Sequence, residues 1–546
     1  MKQALLLSNE GLRGRAWKKA GIGLPDFDRE AMIAATNKAP EWIHFGAGNI
    51  FRAFPAALWQ ALLEKGLVKT GVVVAEGYDG EIIDRVFAPY DNLSLLVTLK
   101  AGGKSGKIEK KVIASVARAL RLDRGEDLER VRTIFRQNSL KMASFTITEK
   151  GYALTGPEGA LSPRAAADME AGPLGAKSYM GVIAALCHER YLAGEKPLAL
   201  VSMDNCSHNG DRLFAAVDAF AQGWAERRLT DRAFAEYIRD RGKVSFPWTM
   251  IDKITPRPSD EVKALLVKDG LAGVEGGVTA KGTYAAPFVN AEECQYLVIE
   301  DSFPAGRPPL EKAGPGVFFT ERETVDRVEK MKVCTCLNPL HTALALFGCL
   351  LGYTRISDEM KDKDLRGLLE LIGRREGLPV VTDPGIISPR TFLDEVLRVR
   401  LPNPYMPDTP QRIAVDTSLK MPIRFGETLK AYQKSETLRT ADLEGIPLVA
   451  AAWFRYLLGV DDWGNEFTVS PDPQYDNLAN RLSGLRLGAA GSIHETLGPV
   501  LSDPAFFGVD LYEAGLGVKV ENLFARLVQG PGAVRAVLKK TVSCVQ

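Results

Sequence analysis

The sequence predicts two architectures in one chain: an N-terminal α/β domain built on a parallel sheet, and a mostly α-helical C-terminal half. Three observations support this fold class. Between about residue 40 and residue 298, short apolar runs alternate with amphipathic stretches, which is typical of strands alternating with covering helices. Residues 303–316 concentrate Pro and Gly, as a linker does. Beyond this segment, apolar residues recur with helical spacing.

Individual elements follow from these patterns. Four apolar runs are predicted strands of the parallel sheet: WIHFGAG, VVVAEG, SFTITEKG and LALVSMDN. Four later runs are predicted helices: HTALALFGCLLGY, DLRGLLELIG, TFLDEVLRVRL and PLVAAAWFRYLLGV. We therefore expect an N-terminal arm over residues 1–40, an α/β domain over 41–310 and a helical domain over 311–546, with a catalytic cleft between the two domains.

Composition excludes several classes of protein. The 546 residues include 69 Lys+Arg and 68 Asp+Glu, so the formal charge of +1 gives no electrostatic reason to expect nucleic acid or an anionic membrane as partner. The longest apolar run, residues 343–353, is shorter than the roughly 20 residues that cross a bilayer. A cytoplasmic protein is expected. The seven cysteines, Cys544 among them, are sparse and suit free thiols, and we expect neither disulfides nor a metal site.

A glycine-rich turn directly follows the first predicted strand. In WIHFGAGNIFRAF, Gly46 permits a tight turn, and Gly48 lets the backbone approach a pyrophosphate. The helix that begins at Asn49, Ile50 and Phe51 supplies amide donors, although Phe51 stands where the third glycine of the usual pattern would be. This context predicts a Rossmann-type nucleotide site, and a simple tight turn is the alternative.

Acidic residues follow the second predicted strand. Glu76 ends VVVAEG, where a carboxylate can accept hydrogen bonds from both ribose hydroxyls and repel a 2′-phosphate, so NAD is the expected cofactor. Asp79 is the reserve ribose ligand, and the alternative for Glu76 is a solvated surface carboxylate. Arg52 is either a phosphate contact or an ordinary helix-surface charge.

Chemistry-bearing side chains cluster in KVCTCLNPLH. Asn338 is expected to cap a helix with Pro339 as its first residue, which places His341 in the first turn, where the helix dipole keeps the ring neutral. Lys332 lies among apolar residues and is a candidate general acid/base. Equally, these residues could be a cap, a core histidine and a lysine that reaches solvent. Asn205, after the strand LALV, could supply an amide to an oxyanion or belong to an ordinary turn.

Together these segments resemble the polyol-specific long-chain dehydrogenase/reductase family, the family of the mannitol dehydrogenases. The matching segments occur in order: HFGAGNIFRAF, TITEKGY, MDNCSHNG, FPWTMIDKITPRP, VIEDSFPAGRPPLE and KVCTCLNPLHTALALFGCLLG. The resemblance implies zinc-independent hydride transfer, with Lys332 as general acid/base and with Asn205, Asn338 and His341 holding the reacting oxygen. It further implies that Glu329 lies beside a proton path and that Asp252 and Arg400 contact substrate.

Two features depart from the family pattern. Lys332 and Asn338 are six residues apart where the family has five, so a bulge or a helix break is expected between them, with Lys330 as the spare acid/base. Pro339 also replaces a glycine. The expected reaction interconverts a keto-sugar acid and its polyol acid, with D-fructuronate and D-mannonate favoured because IDKITPRP and KMPIRFG offer cations to a carboxylate. The alternatives are mannitol 2-dehydrogenase or tagaturonate reductase activity, or an NAD-dependent uronate epimerase.

Overall fold

The computed structural model describes residues 4–14, 16–101, 107–156, 158–488 and 491–543. These residues divide into two compact units, one ending at Asp326 and the other beginning at Arg327. The strands are β1 Ile22–Gly23, β2 Trp42–Phe45, β3 Val72–Glu76, β4 Ser94–Lys100, β5 Lys107–Ile113, β6 Val116–Arg121, β7 Met142–Phe145, β8 Leu198–Ser202, β9 Val244–Ser245, β10 Thr249–Asp252, β11 Gly277–Val278, β12 Tyr284–Ala285, β13 Phe288–Glu292, β14 Tyr296–Glu300 and β15 Val317–Thr320.

Helices cover the first unit and make up most of the second. The first set is α1 Ala16–Lys19, α2 Arg29–Lys38, α3 Asn49–Ala53, α4 Pro55–Glu64, α5 Gly125–Arg136, α6 Pro163–Ala171, α7 Tyr179–Leu192, α8 Asn209–Glu226, α9 Arg232–Arg239, α10 Asp260–Lys268 and α11 Arg322–Met331. The second set is α12 Asn338–Leu350, α13 Ile356–Glu359, α14 Lys363–Glu370, α15 Pro389–Glu395, α16 Pro410–Ile413, α17 Thr417–Arg424, α18 Gly426–Lys434, α19 Gly445–Leu457, α20 Tyr475–Leu482, α21 Ile493–Leu501, α22 Pro504–Phe507, α23 Gly517–Leu527 and α24 Ala533–Ser543.

A parallel sheet forms the centre of the first unit. Its six strands, as far as the chain is described, run in the order β6-β3-β2-β7-β8-β9, and every neighbouring pair is parallel. Counted within this sheet, that is the order 3-2-1-4-5-6 of a doubly wound nucleotide-binding fold. The four strands predicted from sequence all belong to it, although SFTITEKG leaves the strand after Phe145. The predicted Rossmann-type fold is confirmed.

Buried apolar residues cover both faces of this sheet. Ile43 and Phe45 of β2 point into one core cluster, while Trp42 packs into the cluster on the opposite face. This alternation follows from the two-residue period of a strand. Because both faces are covered, these strands are mostly apolar, which explains why the sequence identifies them.

Further strands lie outside the central sheet and were not predicted. A second sheet has the order β1-β5-β4-β13, and a third has the order β10-β14-β15. The N-terminal segment takes part in the second sheet, since β1 pairs with β5, and Trp17 is fully buried. Strand β15 follows the Pro- and Gly-rich segment 303–316 and pairs with β14.

The second unit is helical, as predicted. Its described residues from 327 onward contain no strand, only an isolated bridge between Val460 and Glu466. The apolar helix α12 packs against α19, and α19 packs against α23. Within the described chain, the continuous helical stretch Arg322–Leu350 is long and apolar enough to cross a membrane by length and composition, but 78% of its most apolar window is buried in the protein, as in the core helix of a soluble protein.

Candidate active site

The turn after β2 requires glycine for a steric reason. Gly46 has φ +105°, and a Cβ at this position would lie 2.3 Å from the carbonyl oxygen of Thr146 at the end of β7. Gly48 has open space around its Cα and precedes the first residue of α3. Both glycines line a cavity of about 640 Å³ in the first unit. The cavity therefore opens at the carboxyl ends of β2 and β7, where the strand order reverses and such folds bind their ligands.

A buried histidine supports this turn. Trp42 Nε1 donates to Ser144 Oγ at 2.7 Å, and Ser144 Oγ lies 2.6 Å from His44 Nδ1. The other ring nitrogen, Nε2, lies 2.9 Å from Thr146 Oγ1, so both ring nitrogens have a hydroxyl as hydrogen-bond partner. Burial lowers the pKa of His44 to about 3, so the ring is neutral. His44 thus holds Thr146, whose carbonyl packs on Gly46.

The first residues of α3 lie where the sequence predicts them. Phe51 is fully buried and stacks on His44 with 4.2 Å between ring centroids, so its side chain belongs to the core, whereas Asn49 and Ile50 are half-buried. Arg52 is neither a surface charge nor a phosphate contact. Its guanidinium is buried and donates to Ala286 O at 2.8 Å and to Asn49 Oδ1 at 2.9 Å.

Glu76 at the end of β3 is not the solvated surface carboxylate of the alternative interpretation, because it is 5% exposed. Its Oε2 accepts from the backbone N–H of Ala47 at 2.8 Å. Its Oε1 accepts from those of Tyr78 and Asp79 at 2.7 and 2.9 Å. The carboxylate therefore joins the glycine turn to the loop after β3, and about one of its roughly four acceptor positions remains for a ligand.

Asp79 also lines the cavity and is 2% exposed. One of its oxygens accepts from Thr279 Oγ1 at 2.6 Å. No hydrogen bond reaches its other oxygen from the described residues. Glu76 and Asp79 together place acceptors at the end of β3, where a dinucleotide fold holds its ribose.

A second carboxylate, which the sequence analysis missed, joins the loops after β7 and β8. The Oδ2 and Oδ1 atoms of Asp204 accept from the backbone N–H groups of Ile147 and Thr148 at 2.9 and 2.8 Å, and Tyr152 donates to Oδ2 at 2.5 Å. Thr148 has φ +65°, a conformation that threonine rarely adopts. Asp204 thus holds this loop against the strand end that carries the exposed Asn205.

In the second unit, an irregular helical turn separates Lys332 from Asn338. Residues Lys332–Cys336 form a π-helix, and Leu337 N donates to Lys332 O at 3.1 Å. A π-helical turn holds one more residue than an α-helical turn, so it accommodates the six-residue spacing. Lys332 is 4% exposed, whereas Lys330 is exposed on α11.

The expected cap of α12 is wrong by one residue. Leu337 occupies the cap position with φ −127° and ψ −62°, Asn338 is the first helical residue and Pro339 the second. The π-helix explains the shift. The Leu337 N–H already donates to the Lys332 carbonyl, and the regular helical conformation is interrupted at Leu337. His341 stays in the first turn, as predicted.

His341 lies among cations of different burial: Arg400 is buried, Arg424 is half-buried and Arg412 is exposed. Burial is the largest cause that lowers its pKa to about 4, so the ring is neutral through desolvation more than through the helix dipole. Its Nε2 is buried without a hydrogen bond in the described structure and lies 3.8 Å from Asp408 Oδ2. Arg400, Arg412 and Arg424 act on the ring electrostatically. The sequence analysis identified Arg400 and, within KMPIRFG, Arg424, but not Arg412.

Arg424 and Lys420 extend this group of cations along α17. Arg424 donates to Thr342 Oγ1 at 2.6 Å and to Asn338 O at 3.4 Å, and burial lowers its pKa to about 10. Burial and the charge of Arg424 lower the pKa of Lys420 to about 8. Arg424 and Lys420 donate to backbone oxygens and to the Thr342 hydroxyl but to no carboxylate of the described residues, so their charges are available to an anionic ligand.

Three further predicted positions, none of them fully exposed, are Asp252, Arg400 and Glu329. Asp252 is 6% exposed at the end of β10, and Arg400 is 4% exposed at the end of a π-helix, Val396–Arg400. Glu329 is half-buried on α11. Among the described residues, no group of three or more His, Cys, Asp or Glu side chains is placed to hold a metal ion. Cys544 lies outside the described residues.

Comparison with known proteins decides the family. Residues 40–312 match the mannitol dehydrogenase Rossmann domain, and residues 324–517 match the mannitol dehydrogenase C-terminal domain. The chain belongs to the mannitol dehydrogenase family. The predicted family is therefore confirmed, and with it the prediction of a dehydrogenase.

Individual members of the mannitol dehydrogenase family align over most of the chain. D-mannonate oxidoreductase of Thermotoga maritima is 52% identical over 538 residues, which cover 98% of this chain and 99% of that protein. Mannitol 2-dehydrogenase of Pyrenophora tritici-repentis is 30% identical over 80% of this chain and 72% of its own length. The crystal structure of a substrate-free D-sorbitol dehydrogenase superposes with a TM-score of 0.78 at 27% identity, over 95% of this chain and 98% of that one.

Proposed function

We propose that this chain is a cytoplasmic NAD-dependent oxidoreductase that interconverts D-fructuronate and D-mannonate. The observation that carries the proposal is the group of cations around His341, namely Arg400, Arg412 and Arg424, which offers partners to a sugar carboxylate that a neutral polyol lacks. The 52% identity to a D-mannonate oxidoreductase along nearly the whole chain supports the same substrate pair. Its partners are a small sugar acid and the cofactor, with neither nucleic acid nor membrane.

The residues of the first unit fit NAD. The glycine turn leaves room for a pyrophosphate, and Glu76 and Asp79 offer acceptors to a ribose while opposing a 2′-phosphate. Bound NAD supplies or accepts the hydride. The boundaries that we propose for the functional domains are an arm over residues 1–40, the cofactor domain over 41–310 and the catalytic domain over 311–546.

The other steps belong to side chains of this protein. Lys332 donates a proton to the carbonyl oxygen during reduction and removes it during oxidation. Asn205, Asn338 and His341 stabilise the negative charge that develops on that oxygen. The Nε2 of His341, which has no hydrogen bond from the described residues, is the ring atom that meets the ligand oxygen in this proposal. Glu329 lies beside the proton path, while Asp252 and Arg400 contact substrate. No metal takes part.

The test measures NADH consumption with fructuronate, tagaturonate, fructose and fructose 6-phosphate. We expect fructuronate to give the highest kcat/KM. Replacing Arg424 or Arg400 by Gln should reduce kcat/KM for fructuronate at least tenfold more than for fructose, because only fructuronate carries a carboxylate. The matched control is Arg439→Gln, since Arg439 is an exposed arginine of the same unit that pairs with Asp442.

Two results would contradict the proposal. A preference for fructose that the arginine variants leave unchanged indicates mannitol 2-dehydrogenase activity. Conversion of a uronate without consumption of added NADH indicates an epimerase, because an epimerase oxidises and re-reduces the same carbon.

A further inference from the structure

A hairpin from far along the chain lies on the loop that follows β3. We call it the strap and define it as residues 277–285, which comprise β11, β12 and the connection 279–283. Thr279 N donates to Thr283 O at 2.9 Å, and Gly282, at φ +81°, donates to Thr279 O at 2.9 Å. These bonds give the strap a fixed internal conformation.

Three consecutive residues of the strap donate hydrogen bonds to the loop 76–81. The Thr279 hydroxyl donates to Asp79 Oδ2 at 2.6 Å, and Ala280 N donates to Glu81 Oε1 at 3.1 Å. Lys281 Nζ donates to the carbonyl of Tyr78 and lies 4.5 Å from the centre of its ring. Lys281 and Thr283 line the same cavity as Glu76 and Asp79. The strap is therefore part of the wall of the cofactor cavity.

The bond between Thr279 and Asp79 differs from the other two contacts because both side chains are buried, at 4% and 2% exposure. The Thr279 hydroxyl accepts from Thr283 N at 3.1 Å, which directs its own proton toward Asp79. One carboxylate oxygen of Asp79 is thereby fixed. Asp79 lines the cavity, and its other oxygen has no hydrogen bond from the described residues.

We propose that Thr279 is a positioning residue for cofactor binding. It holds the Asp79 carboxylate so that the second oxygen accepts a hydrogen bond from a ribose hydroxyl of NAD. A carboxylate already held in its bound conformation loses less entropy when the ligand binds. The inference rests on the proposed function, because the ribose belongs to NAD.

The test compares steady-state constants of the full-length enzyme. Thr279→Val keeps the shape of the side chain and removes the hydroxyl, and should raise KM for NAD roughly tenfold, as expected for a lost hydrogen bond to a charged group, while kcat and the sugar-acid KM change little. Thr279→Ser should retain the wild-type KM. In an Asp79→Asn background, Thr279→Val should have no further effect, because the two residues act as a pair.

The control is Thr230→Val, which removes a buried threonine hydroxyl that has no hydrogen bond in the described structure and does not line the cavity. Thr279→Ala provides the same test if the valine variant does not fold. An unchanged KM for NAD, or equal effects of Thr279→Val with and without Asp79, overturns the inference. A wild-type chain that binds no NADH in a fluorescence titration overturns the proposed function as well, so the two failures are distinguishable.

Discussion

Replacing Lys332 and Lys330 separately tests the assignment of the general acid/base. Lys332 opens the π-helix and is 4% exposed, while Lys330 is exposed two residues earlier on α11. Methionine is the informative replacement, because it nearly matches the length of lysine and keeps the packing but cannot transfer a proton. Comparing Lys332→Met with Lys332→Ala then separates loss of the amine from loss of the side-chain volume.

The expected magnitude follows from the chemistry and the burial. A positioned proton donor contributes roughly two to four orders of magnitude in rate, so Lys332→Met should lower kcat by that factor, which corresponds to about 3 to 5 kcal/mol in the barrier. Lys330→Met should change activity by less than about twofold, because exposed side chains away from a site contribute little. Both variants should bind NADH as the wild type does.

The assay is steady-state NADH consumption with saturating fructuronate, combined with thermal unfolding of each variant. Primary amines should partly restore Lys332→Ala, because the space left by the side chain admits a substitute proton carrier. An inactive Lys330 variant beside an active Lys332 variant would show that the π-helix shifts the site by two residues and that the assignment is wrong.

Two further predictions concern buried titratable groups in the second unit. Burial lowers the pKa of His341 from 6.5 to about 4, so as the pH falls the unfolded chain protonates the imidazole before the folded chain does. Up to about 3 kcal/mol of the free energy of unfolding that is present above pH 6.5 should therefore be lost by pH 4. His341→Gln should reduce this dependence of stability on pH, measured by denaturant titration at each pH. Burial raises the pKa of Glu359 well above its usual 4.5, and neither of its oxygens has a hydrogen bond in the described structure. The folded state therefore keeps the Glu359 carboxyl protonated to higher pH than the unfolded state does. The free energy of unfolding should fall by about 1.4 kcal/mol per pH unit as the pH rises above 4.5. Glu359→Gln should remove this pH dependence, and an unaltered pH dependence would contradict the neutral carboxyl.

The sequence identifies those parts of the fold that depend on local pattern. Strands β2, β3, β7 and β8 are buried along their whole length and mostly apolar because both sheet faces are covered, and a run of this kind is visible without any partner. The glycine turn is visible because its position between a strand and a helix is local, whereas the close approach of the Thr146 carbonyl to Gly46 appears only in the fold. The segments that resemble the family occur in the family's order, and this order indicates the fold of the parts of the chain that local pattern leaves open.

The missed features depend on contacts between distant residues. Strand β13 pairs with β4, where Phe288 lies opposite Leu95, and neither segment shows this pairing by itself. In the sequence, Asp204 belongs to a polar segment typical of a turn. Only the fold shows that its carboxylate accepts hydrogen bonds from the backbone N–H groups of residues 147 and 148. The cap of α12 was placed one residue late because the π-helix that takes up the extra residue is defined by its hydrogen bonds and not by composition.

The two acceptors at the end of β3 are held in different ways, and this difference has consequences for cofactor selectivity. Glu76 is held by three backbone N–H groups, which no side-chain substitution elsewhere removes. Asp79 is held by one hydroxyl, on Thr279, 200 residues away in the chain. In the cofactor site that we propose, selectivity at the ribose would therefore have a fixed component from Glu76 and an adjustable one from Asp79. A substitution at Thr279 can alter the position of the Asp79 carboxylate without disturbing the glycine turn. Of the two carboxylates, only Glu76 accepts a hydrogen bond from that turn in the described structure.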